Sequence, residues 1–186
     1  MSDNRTVQLG VLVSGNGTNL QAIIDRIESG SLTARVACVI SNKTEAYALE
    51  RARKHGIPAI PINYKGFDGR EAYDAELVRV LREHGVELVI LAGFMRILTP
   101  VIIDAFPNRI MNIHPALLPS FPGLDAQKQA VDYGVKVSGC TVHFVDAGCD
   151  TGPIIMQATV PVMEGDSAES LSERIHKEEH RIYPEA

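Results

Sequence analysis

The chain has 186 residues, of which 45% are hydrophobic and 22% charged, and these fractions are typical of a soluble globular protein. At this length about 70% of the unfolded surface can be buried on folding, so the core needs no disulfide or metal. The net charge of −5 argues against a general nucleic-acid binder, which carries a basic face. The three cysteines form no CxxC pair, and we find neither a signal-peptide pattern nor an apolar run of about 20 residues. We therefore expect a reduced, cytoplasmic protein with no membrane segment.

Short apolar runs alternate with longer amphipathic runs along the chain. The first half predicts strand 7–13, helix 20–28, strand 35–40, helix 46–55, strand 59–62, helix 71–84 and strand 88–91. The second half predicts helix 99–106, strand 109–113, helix 125–133, strands 140–145 and 154–162, and a last helix to about Tyr183, opened by Asp166 and Glu169 as a capping box. This alternation predicts an α/β fold with a doubly wound, mostly parallel twisted sheet, helices on both faces and a Rossmann-like N-terminal half. We expect a single domain over residues 1–186.

A glycine-rich turn, Ser14-Gly15-Asn16-Gly17-Thr18-Asn19, lies between the first strand and the first helix. Glycines let the backbone approach a ligand, and a helix N-terminus supplies free N–H donors, so the turn predicts a phosphate-binding loop. It lacks the third glycine and the acidic residue of a dinucleotide fingerprint, and also the Gly-Lys-Ser/Thr of a P-loop. A turn that only connects strand to helix is the structural alternative.

The apolar stretch 91–98 follows the fourth strand and contains one charged residue, Arg96. In a doubly wound sheet the carboxyl ends of neighbouring strands form the ligand crevice. Backbone groups of this stretch could therefore bind a flat heteroaromatic ring. Core packing with a surface arginine explains the same composition.

Asn112 and His114 lie at the end of the next predicted strand, and Asp150 follows His114 by 36 positions. Alternate side chains of a strand share a face, so the amide and the imidazole are expected to point to one place. Together they can stabilise an oxyanion, while a carboxylate can orient the imidazole and handle protons. These are the groups that acyl transfer requires when neither a metal nor a covalent intermediate takes part. Asp146 and Asp150 also fit a simpler role as turn formers.

Two further histidine patterns have structural explanations. His143 lies in an apolar strand, where we expect a core residue or a residue behind the site rather than a direct catalyst. Residues 176–180 match an H-x-x-E-H metal pattern. Charged residues surround that helix and no third ligand is evident, so we expect a solvated helix and no metal.

Four motifs in this order resemble those of the folate-dependent phosphoribosylglycinamide formyltransferases (glycinamide ribonucleotide transformylases) of purine biosynthesis. The motifs occupy residues 14–23, 92–98, 112–119 and 139–153, and the resemblance extends from Val7 to about Pro184. It implies direct transfer of a formyl group from 10-formyltetrahydrofolate, the cosubstrate, to the amine of glycinamide ribonucleotide, through a tetrahedral intermediate and without a metal. It also implies small-molecule substrates, no nucleic acid or membrane partner, and a one-carbon transferase that is a monomer or a homodimer.

The resemblance assigns roles residue by residue. The catalytic trio corresponds to Asn112, His114 and Asp150. Positions that hold the ribonucleotide correspond to Gly17, Thr18, Asn19 and Glu179. Positions that contact folate correspond to Arg70, Met95, Arg96, Ile97, Leu98, Asn112 and Asp146. The N-terminal half is thus expected to bind phosphate or nucleotide, and the C-terminal half to bind folate and to be catalytic.

Two features depart from the family pattern. Many relatives carry a histidine in the stretch that matches residues 125–128, where this chain has Gln127 and Lys128, with Lys128 as the candidate substitute. Relatives also continue, beyond the position of Ala186, with more helix and a small strand pair.

A 10-formyltetrahydrofolate hydrolase, or another formyltransferase on the same scaffold, is the alternative. The hydrolase is expected to carry an added regulatory domain before the first strand, and a methionyl-tRNA formyltransferase an added RNA-binding domain. The predicted phosphate loop favours a phosphorylated acceptor over water. A non-catalytic nucleotide-binding module would have no need of the trio.

Overall fold

The computed structural model describes residues 5–186 and has its helices and strands in the predicted order. The strands are β1 Val7–Val13, β2 Ala34–Ser41, β3 Ala59–Pro61, β4 Leu88–Leu91, β5 Ile110–His114, β6 Val137–Phe144 and β7 Ile154–Pro161. The helices are α1 Thr18–Glu28, α2 Tyr47–Lys54, α3 Arg70–Glu83, α4 Pro100–Ala105, α5 Ala126–Tyr133 and α6 Ala168–Glu185, with a 3-10 helix at Tyr64–Gly66. The largest difference from the predicted bounds is at β6, which begins at Val137 rather than Cys140.

The chain forms two compact units, one ending at Met111 and the other comprising Asn112–Ala186. In the first unit, β3, β2, β1 and β4 lie side by side in that order and all pairs are parallel. Val11, Leu12 and Val13 of β1 have no exposed surface. Since successive side chains of a strand point to opposite faces, this burial means that both faces of the sheet are covered.

The second unit contains an antiparallel pair, β6 and β7, against which α6 packs. Leu171 and Ile175 of α6 are fully buried, and α6 also contacts α5. The register of the pair shifts between Val142 and His143, which is a β-bulge. None of the helices within residues 5–186 combines the length and the apolar composition needed to span a bilayer.

Seven strands and six α-helices within residues 5–186 confirm the predicted α/β class. The parallel order of β3, β2, β1 and β4, with helices in the crossovers, confirms the doubly wound, Rossmann-like N-terminal half. The prediction of a single domain stays a prediction.

The predicted cap of the last helix was wrong. Ser167, rather than Asp166, is the N-cap of α6: its hydroxyl accepts from the Ser170 N–H at 3.2 Å, and the Ser170 hydroxyl accepts from the Ser167 N–H at 3.0 Å. Asp166 instead accepts hydrogen bonds from Arg174, at 2.8 and 3.1 Å. Two capping patterns one residue apart overlap here, and the choice between them depends on Arg174, two turns further along the helix.

The cap can be tested by its contribution to stability. Ser167→Ala should lower the free energy of unfolding by about 1 kcal/mol, because it removes an acceptor for an unpaired N–H of the first turn. Glu169→Ala, the matched change at the residue predicted from sequence, should cost less. Urea denaturation measures both. A larger loss for Glu169→Ala would contradict the observed cap.

Candidate active site

The glycine-rich loop of the first unit is held from one side by α2. The Gly15 carbonyl accepts from the Ala48 N–H at 3.1 Å, and the Asn16 carbonyl accepts from Arg51 Nε at 2.8 Å. In a trans peptide the N–H points away from the C=O, so the amides of Asn16 and Gly17 point away from α2. These amides, together with the N-terminus of α1, give the loop the character of an anion-binding nest.

Gly17 meets two constraints that exclude other residues. It is the N-cap of α1 with φ of 72°, in the left-handed region. A Cβ at this position would also lie 2.6 Å from the Cβ of Ala48. The predicted ribonucleotide contacts Thr18 and Asn19 follow directly as the first residues of α1, and both are partly exposed.

The predicted folate segment also lies in the first unit, after β4. Met95 and Ile97 are 66% and 67% exposed, whereas Phe94 and Leu98 are buried. The Met95 N–H donates to Ser14 Oγ at 2.8 Å, so this amide is used within the protein and is not available to a ligand. The guanidinium of Arg96 lies 4.0 Å from the ring centroid of Tyr64, which is a cation–π contact.

Arg70 and Arg96 flank a buried carboxylate. Arg70 is exposed at the first position of α3, and Asp74, one turn later, is 3% exposed. Burial raises the pKa of Asp74, while hydrogen bonds from Thr99 and the charges of Arg96 and Arg70 act in the opposite direction. The charges of both arginines thus favour the ionised form of Asp74.

In the second unit, the ring of His114 has a partner at each nitrogen. Nε2 lies 2.8 Å from the carbonyl oxygen of Phe121, and Nδ1 lies 3.4 Å from Oδ2 of Asp150. A carbonyl only accepts, so Nε2 carries a hydrogen and Nδ1 is the atom at which a proton can come and go. His114 is 4% exposed, which strengthens its interaction with the carboxylate.

Asp150 is held as an ion. Its Oδ2 also accepts from the Gly123 N–H at 2.9 Å. The contact with His143, then the Gly123 N–H and the charges of His114 and His143, lower the pKa of Asp150 to about 2 against the opposing effect of burial. Asp150 therefore carries its negative charge throughout the neutral range.

His143 belongs to the same cluster, although sequence analysis placed it in the core or behind the site. Its Nδ1 donates to the Phe144 carbonyl at 2.9 Å, so in the neutral ring Nε2 accepts from the Asn112 amide at 3.2 Å. Nε2 is also 3.6 Å from Oδ1 of Asp150. The register of β6 with β7 shifts between Val142 and His143, and sequence patterns do not reveal such a shift.

The other predicted residues are distributed as follows. Asp146 Oδ1 accepts from the Gly148 N–H at 3.0 Å and from the Thr151 hydroxyl at 2.7 Å, so this carboxylate organises its own loop. Glu179 is 4% exposed on α6, with Oε2 3.9 Å from Nε2 of His176. The predicted catalytic trio, Asp146 and Glu179 thus belong to the second unit, while the other predicted folate contacts and the predicted phosphate loop belong to the first.

Gln127 and Lys128, which form the first departure from the family pattern, lie on α5. Gln127 donates to the Ser172 hydroxyl at 3.4 Å, and Lys128 forms an exposed ion pair with Asp132 on the same helix. The rings of His176 and His180 stack at 6.2 Å between centroids. Within residues 5–186, no three His, Cys, Asp or Glu side chains are grouped in a way that could hold a metal ion.

An α/β fold with a glycine-rich loop, together with a partly buried amide–imidazole–carboxylate cluster, is typical of a group-transfer enzyme. Residues 7–186 match the family model described as formyl transferase. The chain is 47% identical to the phosphoribosylglycinamide formyltransferase of Escherichia coli, over 94% of this chain and 82% of the relative. The chain therefore belongs to the formyl transferase family.

Solved structures and longer relatives agree with this assignment. The crystal structure of glycinamide ribonucleotide transformylase 1 from Symbiobacterium toebii is 57% identical, with a TM-score of 0.96, over 97% of this chain and 85% of that one. The trifunctional purine biosynthetic protein adenosine-3 of Drosophila melanogaster is 50% identical over all of this chain. This chain spans only 14% of the length of that relative.

The state of Asp150 predicts how stability depends on pH. Because its folded pKa of about 2 lies below the ordinary 3.8, the ionised carboxylate stabilises the fold fully above about pH 4, and this contribution is lost as the pH falls toward 2. Asp150→Asn should therefore lower the free energy of unfolding by about 2 kcal/mol at pH 7. Urea denaturation of both proteins from pH 7 to pH 2.5 measures the difference. A difference that stays constant down to the lowest pH would contradict the assignment.

Proposed function

We propose that this protein transfers the formyl group of 10-formyltetrahydrofolate to the amine of glycinamide ribonucleotide. The observation that carries the proposal is the arrangement of Asn112, His114 and Asp150, an amide and an imidazole beside an ionised carboxylate. Membership of the formyl transferase family supports it, as do relatives with this name at 43% and 47% identity that match over most of their own length. Formyl folate acts here as a cosubstrate, and both substrates are small molecules.

The two binding roles follow from the chemistry of the loops. The amides at Asn16 and Gly17 and the N-terminus of α1 suit the phosphate of the ribonucleotide, with Thr18 and Asn19 in the first turn. The exposed side chains of Met95 and Ile97 suit one face of a flat ring. The charges of Arg70 and Arg96 suit the carboxylates of a folate tail.

In the proposed reaction the amine nitrogen attacks the formyl carbon, and the carbonyl oxygen becomes negative. One hydrogen of the Asn112 amide is engaged by His143, which leaves the other to donate to this oxygen. The imidazole of His114, oriented by the Phe121 carbonyl and by Asp150, is the second group proposed beside this oxygen. The bond from the formyl carbon to the folate nitrogen then breaks, and the proton lost by the amine ends on that nitrogen.

Holding both substrates makes the attack effectively intramolecular, which lowers the entropic part of the barrier. No residue is acylated in this scheme, so the products are formylglycinamide ribonucleotide and tetrahydrofolate. We include in the proposal an intracellular purine-biosynthetic role, carried out by a monomer or a homodimer.

The role of Asn112 can be tested by activity. Asn112→Ala should lower kcat by about 10²–10³-fold, because one donor to the oxyanion is lost, while folate binding persists. An assay that follows deformylated folate, with glycinamide ribonucleotide as acceptor, measures the change. As a control, Gln8→Ala removes an amide from β1 and should leave kcat unchanged, because the Gln8 side chain donates to the nearby Thr6 carbonyl at 3.3 Å and is not among the predicted site residues. Wild-type turnover in Asn112→Ala would rule out the oxyanion role.

The hydrolase alternative makes a different prediction. If water were the acceptor, formyl release from the donor would proceed equally with and without the ribonucleotide. We expect release to depend on the ribonucleotide, because the amides of residues 16–17 provide a site for its phosphate. Equal rates in the two reactions would favour the hydrolase and contradict our proposal.

A further inference from the structure

The segment 93–99, which contains the proposed donor-binding residues, is fixed by two buried polar contacts within the first unit. One contact is made by Ser14 and the other by Asp74, and each of these residues is 3% exposed. Neither residue is among the predicted ligand contacts, although Ser14 is the first residue of the predicted phosphate loop. Both contacts are made to backbone N–H groups of the segment. They therefore hold the main chain in position, and not only a side chain.

The Ser14 contact joins the ends of three parallel strands. The Ser14 hydroxyl accepts from the Met95 N–H at 2.8 Å and donates to Oδ1 of Asn42, after β2, at 2.7 Å. The Ser14 N–H also donates to the Gly93 carbonyl at 3.1 Å. Since Oδ1 only accepts, the direction of this chain of hydrogen bonds is fixed, from Met95 through Ser14 to Asn42.

The Asp74 contact fixes the other end of the segment. A single oxygen, Oδ2, accepts from the Thr99 N–H at 2.6 Å and from the Thr99 hydroxyl at 2.8 Å. Thr99 is the N-cap of α4, and Pro100 follows it at the first helical position. Asp74 lies four residues after Arg70 on α3 and therefore on the same face of that helix.

Two features of the segment between the fixed amides bear on ligand binding. Within residues 5–186, the N–H groups of residues 96–98 donate to no other group of the protein. Met95 and Ile97 extend their side chains into solvent, while Phe94 and Leu98 anchor the opposite side in the core. A segment anchored in this way presents donors at fixed positions, which reduces the conformational entropy that a ligand must remove on binding.

We propose that Ser14 and Asp74 are positioning residues for the formyl donor: they hold the amides of Met95 and Thr99 so that the backbone between them matches the edge of the folate ring. This inference rests on the proposed function. Ser14 has a second consequence, because it is also the first residue of the phosphate loop. The same hydroxyl thus connects the loop proposed for the acceptor to the segment proposed for the donor.

The test compares variants that keep or remove the acceptor oxygen. Asp74→Ala leaves the buried Thr99 N–H unpaired, and it should raise both the KM for 10-formyltetrahydrofolate and the Kd for tetrahydrofolate about tenfold. Asp74→Asn retains an oxygen at the position of Oδ2 and should stay within about threefold of wild type. Ser14→Ala should raise the same two constants about tenfold. In all three variants the KM for glycinamide ribonucleotide should change much less than the donor constants.

Steady-state kinetics and calorimetry with tetrahydrofolate separate this inference from the proposed function. If wild-type protein binds tetrahydrofolate but transfers no formyl group, the proposed function fails, and the Kd values still test the positioning role. An equal rise in both KM values, or a lower kcat with the donor KM unchanged, would overturn the inference, as would the absence of tetrahydrofolate binding in wild type. Should Asp74→Ala fail to fold, Thr99→Val removes only the hydroxyl bond and should raise the Kd about threefold.

Discussion

The engagement of His114 at both ring nitrogens is the constraint on which the candidate active site depends. Because the Phe121 carbonyl takes the Nε2 hydrogen, proton exchange is confined to Nδ1, opposite Asp150. A carboxylate with a pKa of about 2 is too weak a base to keep that proton at neutral pH. Asp150 therefore stays ionised and orients the His114 ring, and in the proposed reaction it acts through its charge rather than as a proton acceptor.

The proposed phosphate site uses backbone groups. An anionic ligand can therefore bind there although the protein as a whole carries a negative charge. The net charge is −5, yet the loop before α1 owes its positive potential to oriented amides and a helix terminus. Arg51 reinforces that orientation by bonding the Asn16 carbonyl from behind. Local dipoles of this kind act over a few ångströms, so they do not require a basic surface.

Sequence patterns predicted the order of the strands and helices, because burial on both faces of a parallel sheet leaves continuous apolar runs such as Val7–Val13. They also selected Asn112 and His114, because period-two alternation places both on one face of β5. They left His143 as either a core residue or a residue behind the site, because its contacts with Asn112 and Asp150 join it to residues on another strand or in the following loop. They also missed that the Met95 amide is already bonded to Ser14, since that contact joins residues 81 positions apart. Local patterns contain no information about such pairings.

Phe121 and Asp150, the two partners of His114, both have left-handed backbone conformations, with φ of 53° and 55°. Non-glycine residues adopt this region at a cost of roughly 1–2 kcal/mol, and asparagine and aspartate tolerate it better than most. Asp150→Ala would thus combine two effects, the loss of the negative charge and the strain of an alanine in a left-handed backbone conformation. Asparagine and glycine separate them, since each accepts the local geometry while lacking the carboxylate.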